Sequence, residues 1–269
     1  MKLAWLTDIH LNFLEKKERD QFYEKIIESA SDVVLISGDI AEAPTVTMYL
    51  QEMVTYIGKP IYFVLGNHDY YHGDTNSVRS QMRQLTRQNN LLKWLPACGA
   101  IPITKQTILI GQDGWADGQY GNYFNSPVVL NDSRLIIDLL HATIQGKPAL
   151  LSKMQQLANH DAECLAKDLM QAIKQDQPKK IIILTHVPPF KEACLYREKI
   201  SDDDWLPFYS AKASGDVLEK IAKQQKNIEF LVLCGHTHSY AEYQPLHNLI
   251  VKVGHAEYYY PQLQCVLKF

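Results

Sequence analysis

The chain has 269 residues, 46% of them hydrophobic, and a net charge of −3: enough length to bury a sizeable core, and too little positive charge for a large face that wraps nucleic acid. Its five cysteines, an odd number with no CxxC pair, argue against a disulfide framework or a thiolate zinc site and fit a reducing cytoplasm. No stretch approaches the ~20 apolar residues that span a bilayer, and Asp8 and His10 interrupt the first apolar run before a signal-peptide core can form.

The first run, LAWLT, ends in Asp8-Ile9-His10. Residues 16–30 then place Phe22, Ile26 and Ile27 on one helical stripe, and a second apolar run over 32–37 ends in Gly38-Asp39. A helix is predicted over 46–57, stopped by Gly58 and Pro60. The run IYFVL follows it and ends in Gly66-Asn67-His68-Asp69, so the βαβ rhythm repeats. Beyond it the pattern predicts a polar helix over 75–90, a short strand pair within 101–110, and a Gly/Asn/Asp/Tyr-rich loop over 111–133, part of a loop-rich insertion at 111–150. A helix over 152–174 leads to a strand at 180–185 that ends at His186. Another over 215–225 leads to a strand at 228–234 that ends in Gly235-His236-Thr237-His238. Alternation of Leu249, Val251 and Val253, and of Cys265, Leu267 and Phe269, predicts half-buried antiparallel strands at the end of a mixed sheet. No repeat or linker divides the chain, and the polar signatures spread from Asp8 to His238 must converge, so a single domain over 1–269 is expected.

Apolar runs bounded by turn residues read as strands buried on both faces, and the carboxyl ends of such strands face the ligand crevice of an open α/β sheet. One rim therefore collects Asp8, His10, Asp39, Asn67, His186, His236 and His238. If the strands persist, Asp8 and His10, and likewise His236 and His238, project to one side in pairs. Hard oxygens mixed with imidazole and no thiolate suit Mn, Fe, Zn or a mixed pair. Any one of these dipeptides alone is an ordinary turn or cap; the ordered set is a metal site.

The order DxH, GD, GNHD, H, GHTH resembles the calcineurin-like metallophosphoesterases across most of the chain. The resemblance implies an α/β fold, a two-sheet mixed β sandwich flanked by helices in four α/β/β/α layers. It implies two divalent or mixed-valence metal ions: Asp8, His10 and His238 on one, Asn67, His186 and His236 on the other, Asp39 bridging. It also implies hydrolysis of a phosphoester, diester or monoester, by in-line attack of a bridging hydroxide, with His68 assisting the leaving group and Asp69 orienting the His68 ring. Ligating imidazoles must be neutral, so activity is expected to fall in acid as metal is lost. Tyr70, Tyr71 and His72 on the same loop, and Trp115 and Asp117 in a lid or recognition loop, are expected to contact substrate.

Protein-phosphatase relatives carry GDxxDRG and a glutamate after GNH, whereas this chain has GDIAEAP and GNHD, which points to the small bacterial-type phosphoesterases. A small phosphoester is the expected substrate. A nuclease or repair component is the first alternative, disfavoured by the lack of a dense Lys/Arg run; a non-catalytic scaffold is the second, and the resemblance implies that such members lose His68 or a ligand, none of which is lost here.

Overall fold

The computed structural model describes residues 1–269. In chain order the elements are β1 (Lys2–Leu6), α1 (Lys16–Glu28), β2 (Val33–Ser37), α2 (Val46–Ile57), β3 (Ile61–Val64), α3 (Thr75–Gln88), β4 (Leu92–Trp94), β5 (Ile101–Thr104) and β6 (Thr107–Gly111). There follow α4 (Asp132–Leu135), α5 (Ile137–Ile144), α6 (Lys147–Asp176), β7 (Lys180–Leu184), β8 (Leu195–Tyr196), β9 (Lys199–Ile200), α7 (Leu206–Tyr209) and α8 (Lys212–Gln224). The last four are β10 (Glu229–Cys234), β11 (Ala241–Leu246), β12 (Leu249–Val253) and β13 (Cys265–Lys268).

Two mixed sheets face each other, one ordered β13-β1-β2-β3-β4 and the other β11-β12-β10-β7-β6-β5. Leu3, Trp5, Leu35 and Val64 of the first pack against Leu109, Ile182, Leu184 and Leu233 of the second. The outer face of the first sheet, with Val34, Ile36 and Phe63, is covered by α1, α2 and α3 through Phe22, Leu50 and Met82. The outer face of the second, with Ile181, Ile183 and Val232, is covered by α6 and α8 through Leu165, Leu169 and Leu218. These are the expected four layers. Strands such as β2 are buried along their whole length because both faces are covered, which is why they read as unbroken apolar runs.

Local sequence sets the helix ends. Glu15 and Glu18 form a reciprocal capping box before α1, Asp74 accepts a hydrogen bond from the Ser77 amide (2.9 Å) before α3, and Gly58 closes α2 at φ 66°.

Four expectations change. The insertion at 111–150 is helical over most of its second half, in α4, α5 and the start of α6, and α6 runs 30 residues rather than spanning only 152–174. Strand β4, only 3 residues long, extends the first sheet beside β3 and is too short to give a sequence signal. Strand β12 is antiparallel to β11 but parallel to β10. No helix is long and apolar enough to cross a membrane.

A buried polar knot beneath the rim ties the first sheet to α3 and α6. Asp113 accepts from the Leu65 amide (2.8 Å), Trp94 Nε1 (2.8 Å) and the Tyr70 hydroxyl (2.6 Å). Arg79 donates to both oxygens of Asp161 (2.8 Å each) and to Tyr70 (3.1 Å). Removing one partner of a buried pair leaves its charge uncompensated, so Asp161→Ala is expected to cost about 3 kcal/mol in chemical denaturation, softened by Asp113 at 3.5 Å from Arg79.

Candidate metal centre

Strands β1, β2 and β3 are mutually parallel, as are β7 and β10, so five carboxyl ends meet at one rim. The ligand loops begin there, but not in the extended geometry expected. Strand β1 ends at Leu6, β2 at Ser37 and β10 at Cys234, and the side chains beyond them sit on left-handed backbone: Asp8 (φ 48°), His10 (φ 41°), Asp39 (φ 53°), His236 (φ 70°) and His238 (φ 56°). Each such residue costs on the order of 1–3 kcal/mol. Backbone bonds hold the turns, from the Asp8 amide to the Gly38 carbonyl and from the His10 amide to the Asp39 carbonyl, both 3.0 Å. The two-residue spacing therefore works through alternating left-handed residues rather than a strand's pleat.

Glycines precede the ligands because ligands crowd them. A Cβ on Gly66 would collide with the Asp39 carboxylate, and one on Gly235 with that of Asp8. Gly235→Ala is accordingly expected to displace Asp8 and weaken metal retention at least roughly tenfold, measured by competition with a chelator.

Two groups of donors meet at Asp39. Donor atoms of Asp8, His10, Asp39 and His238 all lie within 4.8 Å of one another; His238 Nε2 stands 3.3 Å from Asp8 Oδ1 and 3.4 Å from His10 Nε2. On the other side, Asn67 Oδ1 lies 3.0 Å from His186 Nε2 and 2.9 Å from His236 Nδ1. Asp39 joins them, with Oδ1 3.3 Å from His186 Nε2 and Oδ2 3.9 Å from His10 Nε2.

Outer partners fix which atom of each ligand faces inward. His186 donates from Nδ1 to the Ser37 carbonyl and His236 from Nε2 to the Phe208 carbonyl, both 2.9 Å, leaving His186 Nε2 and His236 Nδ1 with lone pairs toward Asp39 and Asn67. The Asn67 amide donates to Asp132 Oδ1 (2.8 Å), which turns its carbonyl oxygen inward.

Charge is strongly paired here. Burial opposes ionisation of Asp8, yet its bond to His238 and the nearby His186 hold it at about 2. Burial would lower His186, yet the Asp39 charge raises it to about 10; His10 is driven by burial to about 4. Asp39 and Asp8 thus favour positive charge at the buried His186 ring, which either a proton or a metal cation on Nε2 can supply. Lone pairs of imidazoles 3.4 Å apart are likewise tolerable only with a proton or cation between them.

The remaining expectations divide. His68 lies at the site: its Nε2 is 4.0 Å from Asp39 Oδ2, its amide donates to Asp39 Oδ1 (2.9 Å), and its ring lies over Tyr71 at 4.3 Å and meets His10 edge-on at 4.6 Å. Asp69 does not touch that ring. Its carboxylate accepts from the amides of Ile40, Ala41 and Gly66 (2.8–3.0 Å), pinning two ligand loops together, and His68 Nδ1 is buried without a partner. Burial and the adjacent Asp39 charge raise Asp69 to about 8 against those three donors; a cation on Asp39 would cancel the second influence.

Tyr70 is fully buried in the Asp113 knot, and its neighbour Tyr71 is the tyrosine at the site, donating to Asp132 (2.7 Å). His72 points away to solvent beside Glu42 (3.8 Å). Asp117 is wholly buried and accepts from the amides of Ala213 (2.8 Å) and Gln119 (3.0 Å), so it anchors its loop to the first turn of α8 rather than facing a substrate. Trp115 is buried against Tyr70, with ring centroids 4.8 Å apart.

The calcineurin-like phosphoesterase family matches residues 1–240. The chain belongs to that family. Its members are phosphoesterases, and the donor set at Asp39 is suited to a dinuclear divalent metal centre. An uncharacterized metallophosphoesterase from Campylobacter jejuni is 32% identical over 164 residues, 56% of this chain but only 40% of that protein's length. Two solved structures share the fold at a TM-score of 0.60: a phosphopantetheinyl hydrolase from Mycobacterium tuberculosis (12% identity, 96% of this chain, 89% of that one) and a dimetal phosphatase from Danio rerio (11%, 95% and 87%).

Two site residues escaped the sequence reading. Asp132 holds Asn67 together with Tyr71, and Tyr258 stands over the centre with its ring 4.7 Å from His10 and 5.1 Å from His238. Asp132 lies in the insertion and Tyr258 in an EYYYP stretch, with no motif to single them out.

Proposed function

We propose that this chain hydrolyses a small phosphoester, at two transition-metal ions held by Asp8, His10 and His238 and by Asn67, His186 and His236, with Asp39 between them. The observation that carries this reading is the single carboxylate whose two oxygens face two separate groups of donors. Oxygen and imidazole ligands without thiolate favour Mn, Fe or Zn. When bound, two such cations neutralise phosphate charge and lower the pKa of a water.

The chain's own residues do the rest. Outer hydrogen bonds donated by the ligands to Ser37, Phe208 and Asp132 keep the ligand atoms oriented before substrate arrives, so no reorganisation is needed as charge develops. His68 Nε2, beside Asp39 and partly open to solvent, is placed to give a proton to the departing ester oxygen. Tyr71 stacks on the ring and takes the orienting role first expected of Asp69, which instead keeps the Asp39 and Asn67 loops in register. Tyr258 closes the His10 side and restricts what approaches it.

The test is a panel of mono- and diester substrates with Mn, Zn, Fe and Mg, run beside His68→Ala. Metal-dependent release of alcohol that His68→Ala loses supports the reading; no turnover of any ester with any metal would end it. Activity nearly flat between 50 and 200 mM salt is expected for a small substrate, whereas a nucleic acid held by many phosphate contacts would lose roughly 10³-fold or more.

A further inference from the structure

Beside Asn67 and His236 a cavity of about 320 Å³ runs inward beneath the 111–150 segment, about twice the ~150 Å³ that admits benzene. Its walls are Trp115, Tyr123, Leu130, Leu139, Met154 and Phe208, and Val129, 58% exposed, lies where it meets solvent. Two metal-ligating side chains thus form one end of an apolar chamber.

The polar groups lining the chamber are almost all spent within the protein. Ser133 Oγ donates to the Leu130 carbonyl and Thr143 Oγ1 to that of Leu139, each 2.8 Å. Lys147 Nζ gives two of its three N–H groups to the carbonyls of Phe124 (2.9 Å) and Ser126 (2.8 Å), and Tyr123 donates to the Lys147 carbonyl (3.0 Å). Asp132 is engaged by Asn67 and Tyr71, and its charge repels a second anion.

We propose that the alcohol portion of the substrate is an uncharged, apolar group at least the size of an aromatic ring, seated in this chamber. This rests on the hydrolase reading for the phosphate end. A sugar would find few free hydrogen-bond partners there and a second phosphate would meet the Asp132 charge, whereas an aryl or branched aliphatic group gains by leaving water. The 111–150 segment thus contributes an apolar wall to substrate recognition.

The test compares phosphate esters of two primary alcohols, ethanol and 2-phenylethanol, whose leaving groups are closely matched. The phenylethyl ester is expected to exceed the ethyl ester roughly 30-fold in kcat/KM. Leu150→Trp, which fills the chamber from α6, is expected to bring the phenyl-to-ethyl ratio toward one. Calorimetry with 2-phenylethylphosphonate and ethylphosphonate, which are not turned over, measures the same preference without catalysis. Equal rates and equal affinities for the phenyl and ethyl compounds would overturn the chamber assignment and leave the hydrolase standing. No turnover of any ester with the phosphonate preference intact would sink the hydrolase reading and keep the chamber.

Discussion

Replacing Asp39 with asparagine is expected to cost on the order of 10³-fold or more in turnover together with at least one of the two metal ions. The side chain keeps its shape and loses its charge, so the loop is not forced to refold: Asp39 Oδ1 already accepts from the His68 amide (2.9 Å), and an asparagine carbonyl oxygen can do the same. What it cannot do is present an anionic oxygen to each side, to His186 at 3.3 Å and to His10 at 3.9 Å. Two cations at close range need that charge between them, and losing several kcal/mol of transition-state stabilisation corresponds to roughly three orders of magnitude in rate. Metal analysis of the purified variant beside steady-state kinetics checks both halves. Full metal content with wild-type turnover would show that the bridge is not needed.

His68→Ala separates catalysis from metal binding. A general acid contributes typically ~10²–10⁴-fold, so kcat is expected to fall within that range with metal content retained, because the ring ligates nothing in either donor group. The loss is expected to shrink for esters of acidic alcohols, whose oxygens leave without a proton. A uniform loss across leaving groups, or loss of metal, would instead mark His68 as structural. Since its ring packs on both Tyr71 and His10, His68→Asn, which preserves some bulk, guards against mistaking a collapsed wall for lost chemistry.

The sequence exposed the site far better than its surroundings. Each ligand follows the end of a strand whose two faces are covered, and that burial is what makes the run apolar to its last residue and the motif stand out after it. The four layers came from the family resemblance: buried strands demand cover on both faces, and the runs alone do not say that here one cover is helices and the other a second sheet. Ligand geometry was less visible: left-handed backbone at Asp8, His10, His236 and His238 replaces the extended pairing that two-residue spacing suggests. Asp117 looked like a loop acid beside a rim and is in fact sealed by the Ala213 amide, since exposure in a loop depends on what packs over it. Asp69 was assigned to the ring beside it by resemblance, whereas three amides claim it here. Helices α4 and α5 were missed because the Gly/Asn-rich stretch before them masks a short apolar stripe at Ile136, Leu139 and Ala142.

The account stands on two cations sharing Asp39. Anomalous diffraction from protein reconstituted with manganese measures that directly. Two peaks about 3.5–4 Å apart, one among Asp8, His10 and His238 and the other among Asn67, His186 and His236, are the predicted result. A single peak, or peaks remote from Asp39, would contradict it.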